Sequence, residues 1–467
     1  MDTASDDSYL KAVRDLNGLQ TNHQILEQIR ASGGRLNENS LPEFGAYIEK
    51  LGHQVDDLNR LNVIHVTGTK GKGSTCAFIQ SLLSHLPGRP LKIGLFTSPH
   101  LIEVRERIQI NGYPLARSEF AKYFYQTYNG LRAPSPPLRK ITEGSPATPM
   151  YFGFLTLMAY HTFLAEGVDV AIMEVGVGGE YDSTNIIRQP SVCGIASLGI
   201  DHQAVLGSTI EEIAWHKAGI IKRGVGVFTV EQPESAMRVI RDRAAERQAP
   251  PPTVVSPLGT EVELGLAGAH QRANAALAVA LCREWVRKRG LSVASDDWIA
   301  QGLAEARWPG RSQTFASPRH ANMTWYVDGA HTVESMAACA SWFTATAARD
   351  RPSVMLFNAA HDRNAQALLD VLSAKGCEFV EAVFCPNLSR RADSANSTVY
   401  YDAELAPQKG SAQIWVAHSP DCKTTVMPTI DDAVAYIEAA YGGPVNILVT
   451  GSLHLVGGVL DAAKGSV

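Results

Sequence analysis

The chain has 467 residues, 45% of them apolar and 19% charged, with a formal net charge of −5 and a pI of about 6.3. That length exceeds one ordinary core and predicts two domains, while the mild acidity argues against a large phosphate-backbone footprint and so against nucleic acid as a partner. No run approaches the roughly 18 apolar residues that span a bilayer, and seven scattered cysteines without a C-x-x-C pair read as free thiols rather than a disulfide framework or zinc site. The acidic start, residues 1–7, carries neither an apolar nor an arginine-rich leader, so the expectation is a cytoplasmic protein without a membrane partner.

Residues 8–58 read as helices, with Tyr9, Val13, Leu16 and Leu19 at helical spacing and a second amphipathic piece over 41–51. A β-rich run, 61–66, then feeds Gly68-Thr69-Lys70-Gly71-Lys72-Gly73-Ser74-Thr75, and an apolar helical pattern follows over 76–86. Strand, glycine loop and helix together make a phosphate cradle. Glycines let backbone N–H groups curl around an anion, the helix N-terminus adds partial positive charge, and Lys72 can reach the β- and γ-phosphates of a nucleotide. Ser74 or Thr75 offers a hydroxyl to Mg²⁺. Gly73 stands between lysine and serine, so the common G-x-x-x-x-G-K-[ST] spacing is not met.

A strand over 92–97 ends in Ser98-Pro99-His100, and 113–150, with five prolines from Pro134 to Pro149, reads as a loose surface excursion. A helix over 156–165 precedes a buried-type strand, 168–173, that stops at Glu174-Val-Gly-Val-Gly-Gly-Glu-Tyr-Asp-Ser-Thr-Asn185. The next strand, 192–198, ends in Gly199-Ile200-Asp201-His202. Ser208 or Thr209 with Glu211 or Glu212 forms a capping box that predicts a helix over 209–221 containing Lys217. A helix over 271–289 and a charged piece to 306 lead to Trp308-Pro309-Gly310-Arg311, which reads as an interdomain hinge. Beyond it strands 324–327, 353–357, 379–384 and 445–450 alternate with helices 333–347, 364–375 and 430–441, and 386–428 reads as a surface insertion. Such alternation specifies parallel α/β sheets with ligands at the carboxyl ends of the strands.

The polar clusters lie at those ends. Ser74, Ser98 and Glu174 each come after a strand and can converge on Mg²⁺, a hard cation that prefers oxygen. Ser98 before proline also suits a plain turn, whereas a buried Glu174 needs a cation. His202 is either a second-metal ligand or a structural histidine. Lys217 either snorkels to solvent or has a depressed pKa and takes up CO₂ to become an anionic carbamate. In the C-terminal block, Asp328-Gly-Ala-His331 and Gly451-Ser452-Leu-His454 come after strands and suit a carboxylate or phosphate, although the second also fits an ordinary C-terminal turn.

Ten segments, LNGLQTN at 16–22, IHVTGTKGKGST at 64–75, SPHLIEVRERIQING at 98–112, EVGVGGEYDSTN at 174–185, LGIDH at 198–202, HKAGI at 216–220, WPGR at 308–311, DGAH at 328–331, FCPNL at 384–388 and TGSLHLVGG at 450–458, resemble in order those of eukaryotic, fungal-like folylpolyglutamate synthases. These are Mur-ligase-like ATP-dependent amide ligases. The resemblance implies a P-loop parallel-sheet ATP-binding and acid-substrate domain over 1–307 and a smaller Rossmann-like α/β glutamate domain over 308–467. It implies ATP held by Thr69, Lys70, Gly71, Lys72, Gly73, Ser74, Asn274, Arg311 and Asp328, and metal held by Ser74, Ser98, Glu174, His202 and Lys217. Lys72, Lys217 and His331 would be catalytic, with His331, Gly451 and Ser452 handling the amino acid and phosphate. Its implied cofactors are ATP, two Mg²⁺, a carbamate on Lys217 and K⁺; its partners are small molecules, folate or another carboxylic acid with L-glutamate, acting on a monomer.

The implied reaction is phosphorylation of a folate γ-carboxylate and then attack of the glutamate amine. Gly153, where arginine is usual, Ala269, where aspartate is usual, and His361 to Asn364 depart from the family pattern. They leave open a paralogue that joins an amino acid to a non-folate acid. A nucleotide-binding protein that has lost ligation would lack at least one of Lys72, Glu174, His202, Lys217 or Asp328, and all five are present. A bare ATPase switch, which turns over without any acceptor, and a dihydrofolate synthase are the remaining alternatives.

Overall fold

A computed structural model describes residues 3–19, 37–141, 145–359, 364–389 and 404–464. Contacts divide the chain into two units, the first Met1–His100, Val104–Gly265 and Gln271–Arg307, the second Leu101–Glu103, Leu266–His270 and Trp308–Val467. Residues 20–22 of the LNGLQTN segment, and His361, lie outside the described residues.

The first unit is built on eight strands in the order β4-β3-β2-β5-β1-β6-β7-β8. They are β1 (Ile64–Thr67), β2 (Ile93–Phe96), β3 (Ile108–Ile110), β4 (Tyr113–Pro114), β5 (Val170–Glu174), β6 (Val192–Ile195), β7 (Gly226–Val230) and β8 (Thr253–Val255). All pairings are parallel except β2 with β3 and β3 with β4. Both faces of the central strands are covered, which is why β1 and β5 are buried at every position rather than alternating. On one face Phe96, Ala171 and Met173 pack with helices Thr3–Asn17, Ser40–Lys50, Arg117–Arg132 and Tyr151–Glu166. On the other lie helices Lys72–Ser84 and Gln271–Lys288; Gly194 of β6 leaves room there for Leu281.

The second unit has six strands in the order β13-β12-β11-β14-β10-β9. They are β9 (Gln313–Ala316), β10 (Met323–Val327), β11 (Ser353–Phe357), β12 (Glu381–Phe384), β13 (Lys423–Val426) and β14 (Val445–Thr450), with only β9 antiparallel to its neighbour. Alternation along β14 feeds two cores. Ile447 and Val449 face helices Ile430–Ala440 and Leu453–Lys464, and Leu448 faces helices Val333–Thr346, Ala365–Ala374 and Ala406–His418.

Two expectations need correction. Residues 113–150 are not simply loose, because Arg117–Arg132 is a helix that buries Phe120, Tyr123, Phe124, Thr127 and Leu131 at helical spacing before the prolines begin. Residues 386–428 are not only an insertion: Ala406–His418 is a helix whose Trp415 is fully buried, and β13 pairs with β12. All seven cysteines are free and buried. Among the described residues no helix is long and apolar enough to cross a membrane.

Trp415 packs against Phe379 at a ring separation of 5.8 Å and donates its indole N–H to Cys422 Sγ at 3.3 Å. Trp415→Ala is expected to cost about 3–5 kcal/mol of the second unit's stability, read as a lower denaturant midpoint; a shift worth under about 1 kcal/mol would place Trp415 outside the core.

Candidate nucleotide and ligation site

β1 is flanked by β5 and β6, and the loop that leaves it is tied to the loops at the carboxyl ends of both neighbours. Thr67 Oγ1 donates to Gly178 O at 2.7 Å, and the amides of Thr69 and Lys70 donate to Ser197 O at 2.8 and 3.1 Å. Thr69 Oγ1 also bonds Gly199 at both its carbonyl and its amide, at 3.0 and 3.1 Å. Gly68 has to be glycine, since a Cβ there would lie 2.8 Å from the Ala196 side chain. Helix Lys72–Ser84 starts directly on the loop, so the orphan N–H groups of its first turn add to the charge of Lys70 and Lys72.

Lys72 Nζ donates to Gly68 O at 3.0 Å, and Lys217 Nζ donates to the same oxygen at 2.8 Å. Lys217 sits in helix Ile210–Ala218, opened by Thr209 and Glu212 in the expected capping box, and is only 3% exposed. The snorkelling alternative is therefore overturned. Burial, and then the charge of Lys72, push the Lys217 ammonium well below its ordinary 10.5, against a smaller upward pull from Asp201 and Asp182.

Glu174 ends β5 in register with Val66, is 3% exposed, and accepts the Ser98 amide at 3.0 Å. Glu174 and Lys72 act on one thiol with opposite sign: burial raises Cys76, Glu174 raises it further, and Lys72 opposes. Lys70 pairs with Asp201 at 3.1 Å, and Asp201 also accepts the His202 amide at 2.9 Å. Burial alone would raise Asp201, but the charges of Lys70 and His202 with their hydrogen bonds hold it at about 2. His202 is exposed with a φ of 52°, an uncommon backbone state for a non-glycine residue. Asn274 stands against the loop, where a Cβ on Gly71 would overlap its Oδ1.

In the second unit Asp328, just past β10, accepts the amide and hydroxyl of Ser312 at 2.7 and 3.1 Å. Arg311 Nη1 and His331 Nδ1 both donate to Gly329 O, at 3.3 and 2.8 Å. A carbonyl only accepts, so Nδ1 carries the hydrogen and Nε2 is the basic nitrogen of the neutral ring. Gly451, with φ of 98°, and the buried Ser452 lie just past β14, the neighbour of β10.

The predicted residues thus form two clusters: Thr69 to Ser74, Ser98, Glu174, His202, Lys217 and Asn274 in the first unit, and Arg311, Asp328, His331, Gly451 and Ser452 in the second. Of the departures, Gly153 lies in the first turn of helix Tyr151–Glu166, Ala269 is exposed in the 266–270 segment, and Asn364 caps helix Ala365–Ala374. Sequence reasoning passed over Asp201 and Gln271. Asp201 comes after a strand, and Gln271 lies three residues before Asn274 on one helix face; these signals mark both as candidates, while their partners Lys70 and Ser74 lie 131 and 197 residues away.

Among the described residues no three His, Cys, Asp or Glu side chains cluster as a metal cage. An oxygen set with the buried Glu174 past β5 as its anion, and Ser74 on the helix that begins past the neighbouring β1, still suits Mg²⁺, which keeps waters and phosphate oxygens and takes one or two protein carboxylates.

A parallel sheet bearing this glycine–lysine loop, joined to a second Rossmann-like α/β unit, has the architecture of Mur-ligase-like amide ligases. No family model matches the chain. It is 40% identical to human mitochondrial folylpolyglutamate synthase over 97% of its length and 91% of that protein's. It is 41% identical to folylpolyglutamate synthase of Saccharomyces cerevisiae over 97% of its own length and 86% of the yeast protein's. The Mycobacterium tuberculosis folylpolyglutamate synthase complexed with ADP shares the fold, with a TM-score of 0.77 at 24% identity over 99% of each chain. The chain belongs to the folylpolyglutamate synthase family.

Lys217 gives a pH test. Between its depressed folded value and 10.5 the unfolded chain holds a proton that the folded chain lacks, so stability rises with pH by up to about 1.4 kcal/mol per unit. Lys217→Met in CO₂-free buffer is expected to be more stable than wild type at pH 7, by a margin that shrinks towards pH 10 in denaturant titrations. A margin independent of pH would mean that Lys217 titrates normally.

Proposed function

We propose that this chain uses ATP to join L-glutamate to the γ-carboxyl of a folate, releasing ADP and phosphate. The observation that carries the reading is the convergence of Lys72 and the buried Lys217 on Gly68 O at the mouth of the phosphate loop. Family membership supplies the substrates.

Residues 69–74 would cradle the triphosphate with Asn274 on the adenine side, and the resemblance assigns Arg311 and Asp328 to ATP as well. The folate carboxylate oxygen attacks the γ-phosphorus and ADP leaves, while Lys72 and the loop N–H groups stabilise charge spreading over the phosphoryl oxygens. Lys72 exchanges its bond to Gly68 O for those oxygens. The glutamate amine then attacks the acyl carbon, and phosphate departs with the original carboxyl oxygen. His331 Nε2 takes the amine proton, held ready by its Nδ1 bond to Gly329. Ser452 and Gly451 receive the amino acid and the phosphate.

Ser74, Ser98, Glu174 and His202 would hold Mg²⁺, joined by Lys217 as a carbamate. Bound there, the ion supplies neutralisation of phosphate charge. The neutral amine favoured at Lys217 is the form that combines with CO₂. K⁺ enters the reading on resemblance alone. Residues 1–307 would serve ATP and the acid, 308–467 the amino acid. The protein would act as a cytoplasmic monomer on small molecules; imaging of the tagged natural protein decides the compartment, since the human relative is named as mitochondrial.

Purified protein should release ADP only when tetrahydrofolate and glutamate are both present, and ¹⁸O from the γ-carboxyl should appear in inorganic phosphate. Turnover without an acceptor, or unlabelled phosphate, would refute the reaction. Lys72→Ala should lower kcat by at least about 100-fold, and retained ligation would remove the lysine from the phosphoryl step.

A further inference from the structure

Gln271 opens helix Gln271–Lys288, which packs along helix Lys72–Ser84 so that their first turns meet. The residue is 1% exposed, and its carboxamide lies between Asn274, 4% exposed, and Ser74, 7% exposed. Asn274 Nδ2 donates to Gln271 Oε1 at 2.9 Å, and Gln271 Nε2 donates to Ser74 Oγ at 3.3 Å. Asn274 is itself held with Oδ1 against Gly71, whose φ of 85° and lack of a Cβ make the approach possible.

These bonds have a direction. Asn274 presents its NH₂ to Gln271, which fixes the Gln271 oxygen on that side and turns its NH₂ towards Ser74. Ser74 Oγ must then accept. One lone pair is used, and what remains on the hydroxyl is a second lone pair for a cation and a hydrogen for another acceptor. Were the Gln271 amide reversed, the serine would have to spend its hydrogen on it.

We propose that Gln271 is a positioning residue that sets the rotamer and hydrogen-bonding polarity of the Ser74 hydroxyl, with Asn274 fixing the orientation of its amide. The inference rests on the reading of Ser74 as a magnesium ligand beside the nucleotide phosphates. Gln271 acts through its bond to Ser74. A packing role alone would not make its effect depend on Mg²⁺ or on Ser74.

The test is calorimetric and needs no turnover: the Kd of ATP with and without Mg²⁺, for wild type, Gln271→Met, Gln271→Glu, Ser74→Ala and Gln271→Met/Ser74→Ala. Gln271→Met keeps the length of the side chain and removes its polar atoms. It should reduce the Mg²⁺-dependent gain in affinity by about 3- to 10-fold and leave the metal-free Kd nearly unchanged. Gln271→Glu, which cannot donate, forces Ser74 to donate and should lose at least as much. In the Ser74→Ala background Gln271→Met should add nothing.

A full Mg²⁺ gain in either folded Gln271 variant, or additive losses in the double variant, would overturn the inference. A full gain in Ser74→Ala would instead refute the reading of Ser74 and take the Gln271 proposal with it. Thermal midpoints of all variants within a few degrees of wild type show that the losses are not unfolding.

Discussion

One backbone oxygen organises the first unit. Gly68 O accepts from both Lys72 and Lys217, each within 3.0 Å. Two full positive charges at that separation from one carbonyl repel; a pair 4 Å apart costs about 4 kcal/mol at an effective dielectric constant of 20. Burial first, and then this repulsion, pull the ammonium of Lys217, the amine that water reaches least, well below its ordinary range. The same constraint explains its surroundings. The loop is pinned by Gly178, Ser197 and Gly199, the last two beyond β6 and the first beyond β5, so Gly68 O cannot turn away from either lysine. A strand order of β5-β1-β6 is what brings those three anchors to one place.

The second unit repeats the device with other chemistry. Gly329 O, just past β10, receives Arg311 and His331, and the next strand, β14, ends beside it in Gly451 and Ser452. Here the two donors differ in kind, a planar guanidinium fork and an imidazole whose Nδ1 carries the hydrogen. Both sheets therefore place a glycine carbonyl past the carboxyl end of an interior strand, β1 in one and β10 in the other, and gather two nitrogen side chains on it. The carboxyl ends of parallel strands favour this, since successive loops emerge there side by side.

Much of this was legible in the residues, and the features that escaped did so for physical reasons. The phosphate loop, the capping box before Lys217 and the buried strand ending in Glu174 each combine a local rule with a regular period, and the structure agrees with them closely. Helix Arg117–Arg132 was masked by the prolines that come after it, although its apolar spacing was regular. Helix Ala406–His418 gave a weaker signal because its buried face is Gln408, Ser411, Ala412 and Trp415, three of them small or polar. β9 and β13 are edge strands, short and half-exposed; β9 pairs with the next strand in the chain, β10, whereas β13 pairs with β12 about forty residues earlier. The sharing of Gly68 O was beyond sequence, because 149 residues separate it from Lys217. Gln271 was not: its i, i+3 relation to Asn274 was visible, but nothing in the chain order pointed to Ser74 as the third member.

The burial of every thiol has a practical side. Cys76, Cys193, Cys282, Cys339, Cys377, Cys385 and Cys422 all lie inside, and burial lifts each above its ordinary acidity range. The thiolate is the form that reacts with maleimides and disulfides, so the native fold presents a chemically quiet surface. One cysteine introduced at an exposed position would then be the preferred point of attachment for a fluorophore or spin probe, with all seven natural ones left in place.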